Sequence, residues 1–163
     1  MTVKNITGLK ELQAMLNSLP AKLEGNIMRT ALRAGAKVIL EEAKLNVPIR
    51  HGDLRDSIRI STRIKKGRVT ASVKAGNKKA WYWRFVEYGT AEHAISAKDK
   101  GVLSFGGFFG KSVLHPGAKE KPFMRPALDV KSSEAIVAVG EAIKKRLTKQ
   151  GLDATDIFIE VEE

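Results

Sequence analysis

The chain of 163 residues has no cysteine, so neither a disulfide framework nor a thiolate metal site can hold it together. Histidine is scarce as well. His51, His93 and His115 stand far apart with no carboxylate at ligand spacing, which argues against a metal site. No apolar run approaches the ~20 residues that cross a bilayer, so no membrane is expected. The polar segment after Met1 lacks the charged-then-apolar order of a secretory signal, and export is not expected either. Nucleophile elbow, phosphate-binding glycine loop, paired helical histidines and dinucleotide fingerprint are all missing. Asp53, Asp56 and Glu87 could be drawn as an acid cluster around His51, but a His-Gly-Asp turn is turn chemistry far more often than catalysis. The sequence therefore reads as non-enzymatic, with no cofactor. Acids are also in deficit, 18 against 29 Lys and Arg, for a formal charge of +11. That surplus bears on partners, attracting nucleic acid or acidic protein, rather than on fold.

What is present is organised around Ala80–Thr90, AWYWRFVEYGT, which holds both tryptophans, both tyrosines and a single acid, Glu87. Read with period two, Trp81, Trp83, Phe85 and Glu87 point one way and Tyr82, Arg84, Val86 and Tyr88 the other, predicting a strand covered on both faces. Gly89 follows where a side chain would obstruct the backbone.

Leu9, Leu12, Leu16 and Leu19 predict a short amphipathic helix over 7–19, with Thr7 as N-cap and Pro20 closing it. A longer helix is predicted over about 21–46, with Met28, Leu32, Gly35, Ala36, Ile39 and Ala43 on one stripe. Its small central residues invite close approach by another element. A ladder of Arg29, Arg33 and Lys37 marks a different face, for which DNA or an acidic neighbour is the expected contact. Val47-Pro48 ends the helix.

Ile58, Ile60 and Ile64 alternate with basic residues, Lys66-Gly67 reverses the chain, and Val69, Ala71 and Val73 alternate on the return. This is a hairpin with one apolar and one basic face. With the aromatic stretch it would complete a three-stranded meander. Residues 91–121 are glycine-rich yet carry Leu103, Phe105, Phe108 and Phe109, which predicts an interaction arm rather than a featureless insertion. Pro122–Ala127 reads as the entry to a helix running to about Lys149 with Leu128, Ile136, Val139, Ile143 and Leu147 as its core stripe. Ile157, Ile159 and Val161 alternate in a closing strand. The expected fold is α+β: an antiparallel sheet of about four strands, meander plus C-terminal strand, against a long N-terminal and a C-terminal helix. A single domain over 1–163 is expected, with 91–121 as its extended loop or arm.

Three ordered blocks carry a family resemblance. Pro48, Gly52, Leu54, Arg55, Ser57 and Ile58 form the first, Val86-Glu87-Tyr88-Gly89-Thr90 the second, and Pro122-Phe123, Arg125-Pro126-Ala127 the third. In this order they resemble the small neck proteins of long-tailed bacteriophages and prophages, the head-tail joining or tail-completion family. The resemblance implies a non-enzymatic structural subunit of the virion neck, made in the host cytoplasm and assembled into a homo-oligomeric ring around the DNA channel. Its partners would be other neck and tail proteins, such as the head-tail adaptor, tail terminator or tail tube, with contact to channel DNA. Within it Arg55, Glu87, Gly89 and Arg125 are expected to tie the three blocks together. The alternative is a basic nucleic-acid-binding module that uses the hairpin and the aromatic strand.

Overall fold

A computed structural model describes residues 9–98, 101–105, 108–152 and 154. Along the chain run α1 (Leu9–Asn17), α2 (Ala21–Asn46), α3 (Asp53–Ser57), β1 (Arg59–Lys65), β2 (Arg68–Lys74), α4 (Trp83–Tyr88), β3 (His93–Ser96), β4 (Leu103–Phe105), β5 (Phe108–Gly110), β6 (Ser112–His115) and α5 (Met124–Thr148). The class is α+β, with helices α2 and α5 as the frame.

These two long helices lie antiparallel, because one core cluster joins Ile27 and Ala31 to Ile143 and Leu147 while the other joins Ala43 and Val47 to Ala127. They meet at small residues. A Cβ added to Gly35 would lie 2.6 Å from both the Ala135 carbonyl oxygen and Val139 Cγ2, so the crossing distance depends on its absence. Leu12, Leu16 and Ala154 complete the first cluster, and Leu54, Ile58, Ala80 and Phe123 the second. The most deeply buried positions of α2 are Ile27, Ala31 and Ala43; Ala43 lies on the predicted stripe, whereas Ile27 and Ala31 lie one step round from Met28 and Leu32. Two neighbours explain the offset: α5 covers one side of α2 and the β1–β2 hairpin another.

The hairpin pairs Arg59 with Lys74 through to Lys65 with Arg68. Its two-residue turn has Lys66 at φ 49° and Gly67 at φ 75°, the mirror-image geometry that matches strand twist. The meander stops there. Among the described residues the sheets are three separate two-stranded ladders, and the aromatic stretch is the helix α4 rather than a third strand. Its inward residues, Ala80, Trp83 and Glu87, recur at helical spacing, whereas the aromatic content had suggested a strand. Asn77 prepares the change by accepting the Lys79 and Ala80 N–H groups on its Oδ1, each at 2.8 Å. The expected C-terminal strand at 157–161, like Thr7, lies outside the described residues.

The stretch expected as a loop contains two antiparallel pairings, β3 with β6 and β4 with β5. β3 and β6 are exposed along their whole length. A bridge between Thr90 and Ala118 closes the base of this insert.

Candidate functional site

The site begins with an accounting problem at the start of α5. A helix leaves its first four N–H groups without intrahelical acceptors, and no side chain of the α5 N-terminal residues caps them. Glu87 does so from α4, 36 residues earlier. Its Oε2 accepts the N–H groups of Phe123 and Met124 at 2.8 and 3.0 Å, and its Oε1 that of Arg125 at 3.1 Å. The fourth position is Pro126, which has no N–H to satisfy. One carboxylate thus satisfies all three donors, and the proline leaves no fourth.

Glu87 is 1 % exposed, yet its surroundings favour the charged form. Burial alone would raise its pKa, but the three backbone donors, with the Arg125 side chain, hold it below the ordinary carboxylate value. The positive end of α5 works in the same direction. Arg125 contributes less than the backbone does: its Nε is 3.4 Å from Oε1, and its guanidinium is half exposed. It instead clamps the periphery, donating from Nη2 to the Glu87 carbonyl at 3.2 Å and to Glu120 at 3.1 Å while lying over the Tyr88 ring.

The rest of the second block meets the same segment. The Val86 carbonyl accepts the Lys121 N–H at 2.8 Å, and Thr90 exchanges backbone hydrogen bonds with Ala118. Gly89 has φ 69° and ψ −172°, and a Cβ there would be 2.6 Å from the Ala118 carbonyl oxygen. Only glycine combines that conformation with that approach.

The first block adjoins this junction. Leu54 and Ile58 enter the cluster that contains Phe123. Buried Ser57 donates its hydroxyl to the Leu54 carbonyl at 2.6 Å and accepts the Gly76 N–H at 2.9 Å. Gly76, at φ 92°, leaves the space that the Trp83 ring fills. Arg55 is exposed, and the hydrogen-bond partners of Glu87 come from 123–125 instead. Asp53 and Asp56 do not join Glu87 in hydrogen bonding either.

Beside the junction, α2, β2, α4 and α5 enclose an open groove of about 650 Å³, lined chiefly by apolar residues including Leu32, Ile39, Val73, Trp83 and Leu128. On the outer side of α4, Trp81 and Phe85 make an edge-on ring pair at 5.9 Å, both largely exposed.

The remaining expected contacts lie elsewhere. Arg29, Arg33 and Lys37 are exposed on α2, and Lys37 faces Glu41 at 3.5 Å. Leu103 and Phe105 lie in β4, Phe108 and Phe109 in β5, with Phe105 opposite Phe108. The side chains of Phe105, Phe108 and Phe109 lie outside what is described. Sequence reasoning placed weight on Glu87, Gly89 and Arg125, expecting an ion pair or backbone hydrogen bonds at Glu87, but did not name the N-terminus of α5 as its partner; Pro126 as the third helical residue was the available signal.

Residues 10–89 match the HK97-gp10-like family, described as "Bacteriophage HK97-gp10, putative tail-component". The match covers the first block and the second through Gly89, and it supports a structural role in a phage tail. The third block lies beyond it. No curated protein and no solved structure matches the chain.

Proposed function

We propose that this chain, whose residues 10–89 match the HK97-gp10-like family, is a non-enzymatic structural subunit of the phage neck that completes or joins the tail as part of a ring around the DNA channel. The observation that supports this reading is the way the insert at 91–121 is held. Gly89 packs on Ala118 and Glu120, Thr90 bridges Ala118, and Glu87 fixes the start of α5, so the insert leaves from a rigid base. None of its described residues belongs to either core cluster. A segment clamped at its root and left out of the core is suited to contacts outside the subunit.

In this reading Leu103, Phe105, Phe108 and Phe109 meet a neighbouring protomer or the next ring. Arg29, Arg33 and Lys37 face an acidic neighbour or channel DNA, with Lys37 exchanging Glu41 for that partner. The reading as a nucleic-acid module built on an aromatic strand changes its geometry, since the stretch is the helix α4 and Trp83 packs on Gly76, while Trp81, Phe85 and Tyr88 remain exposed.

Deleting the gene from a phage or prophage that encodes this protein, and imaging the particles, tests the proposal. Heads and tails that form separately and join only when the protein is supplied are the expected result. Joined, infectious particles without it would overturn the neck role.

A further inference from the structure

We propose that the outer face of the β1–β2 hairpin is a contact surface for the phosphate backbone of duplex nucleic acid. Between Asp56 and Glu87 the sequence has nine Lys or Arg and no acid at all. The hairpin sorts six of these. Its inward face, with Ile60, Ala71 and Val73, turns toward the core, where Val73 packs and Ile64 approaches Gly25. Its outward face presents Arg59, Arg63 and Lys65 on one strand and Arg68 and Lys74 on the other, interleaved with Ser61, Ser72 and Thr70.

Two features of this face point to a polyanion. Arg59 stands directly opposite Lys74, and Lys65 directly opposite Arg68. Like charges in opposed positions destabilise a two-stranded ladder, so the free protein carries a cost that an anionic partner would remove. Arg59 is partly occupied, donating to the Ser57 and Gly76 carbonyls at 3.1 and 2.6 Å. Away from the Arg59–Lys74 end, the cations converge at the tip, where Arg63, Lys65, Lys66, Arg68 and Thr70 line a depression of about 430 Å³.

The second feature is what the face omits. A protein interface keeps an apolar centre inside a polar rim, and this face has only cations and hydroxyls. Those groups are the ones that contact phosphates. Arg63 and Lys65 are separated by about 7 Å along the strand, and a two-stranded ribbon fits the major groove. An acidic protein would supply charge without a groove that fits the ribbon. The surface is distinct from the insert and its base, so this proposal and the neck role can fail separately.

Anisotropy of a labelled duplex of arbitrary sequence, titrated with the full chain between 50 and 200 mM salt, provides the test. The variant Arg63→Gln, Lys65→Gln, Arg68→Gln should flatten the slope of log affinity against log salt by about 2.7 and weaken binding about tenfold or more. A charge-matched control at the C-terminal end of α5, Lys145→Gln, Arg146→Gln and the C-cap Lys149→Gln, should leave the slope unchanged. Lys65→Glu, which turns a repulsive cross-strand pair into an attractive one, should raise or preserve the melting temperature while weakening DNA binding. No binding at 50 mM salt, or equal losses in the hairpin and α5 variants, would overturn the proposal. So would a hairpin variant that binds DNA normally but fails to join particles, which would assign the face to an acidic protein.

Discussion

At the scale of single residues, Glu87 has the largest structural consequence because three buried or half-buried donors depend on its two oxygens. Glutamine keeps one acceptor but turns an NH₂ toward donors, so Glu87→Gln should cost about 2–4 kcal/mol. For a chain of this length that is a fall in melting temperature of about 5–15 °C, readable by calorimetry. The pH dependence has a definite sign. The folded-state pKa is depressed from 4.5, so the stabilisation is complete above that value and is lost as pH falls through the folded pKa. Denaturation curves from pH 6 to pH 2 should show a steep acid limb in the wild type and a flatter one in Glu87→Gln. Equal limbs would remove Glu87 from the account. Gly89→Ala tests the neighbouring constraint, since the new Cβ meets the Ala118 carbonyl in a glycine-only conformation. It should destabilise by more than the ~1–3 kcal/mol of the backbone strain alone.

At the scale of elements, α2 carries two glycines with opposite expectations. Gly35 is pressed against α5, so Gly35→Ala should force the helices apart and destabilise by about 1–3 kcal/mol. Gly25 has only Ile64 Cδ1 at 3.9 Å, so Gly25→Ala should stabilise by about 0.5–1 kcal/mol through helix propensity. Urea denaturation of both variants checks the pair, and changes of the same sign would contradict the packing. The small stretch Ala31–Ala36 makes this crossing legible in the sequence, as periodicity does for both long helices and alternation around Lys66-Gly67 for the hairpin. The helix α4 was not legible. Trp, Tyr and Phe favour strands, and a six-residue helix gives periodicity little room. What decides the matter is tertiary: Glu87 must reach the start of α5, and Trp83 must fill the space at Gly76. Local propensity loses to such anchors. The site was half legible for the same reason, since one lone buried acid flags a structural role but its partners lie 36 residues away.

For the whole molecule, the question is whether the insert between Gly89 and Pro122 belongs to the fold or is carried by it. Both core clusters draw on α1, α2, α3, α5 and the segments beside them, and the described insert residues contribute to neither. Ser96 and Ser112 are register partners, which allows 97–111 to be replaced by Asn-Gly, the two-residue turn that suits a hairpin. The shortened chain keeps β3, β6, the Thr90–Ala118 bridge and the Glu87 cap. Because surface changes away from packed features stay within about ±0.5 kcal/mol, its melting temperature should move by no more than about 2 °C. In particles, by contrast, it should fail to join tails to heads, because Leu103, Phe105, Phe108 and Phe109 go with the excised segment. Calorimetry of the free chain and imaging of complemented particles read the two consequences separately. A shortened chain that unfolds would make the insert part of the fold, and one that joins particles normally would leave it without a partner.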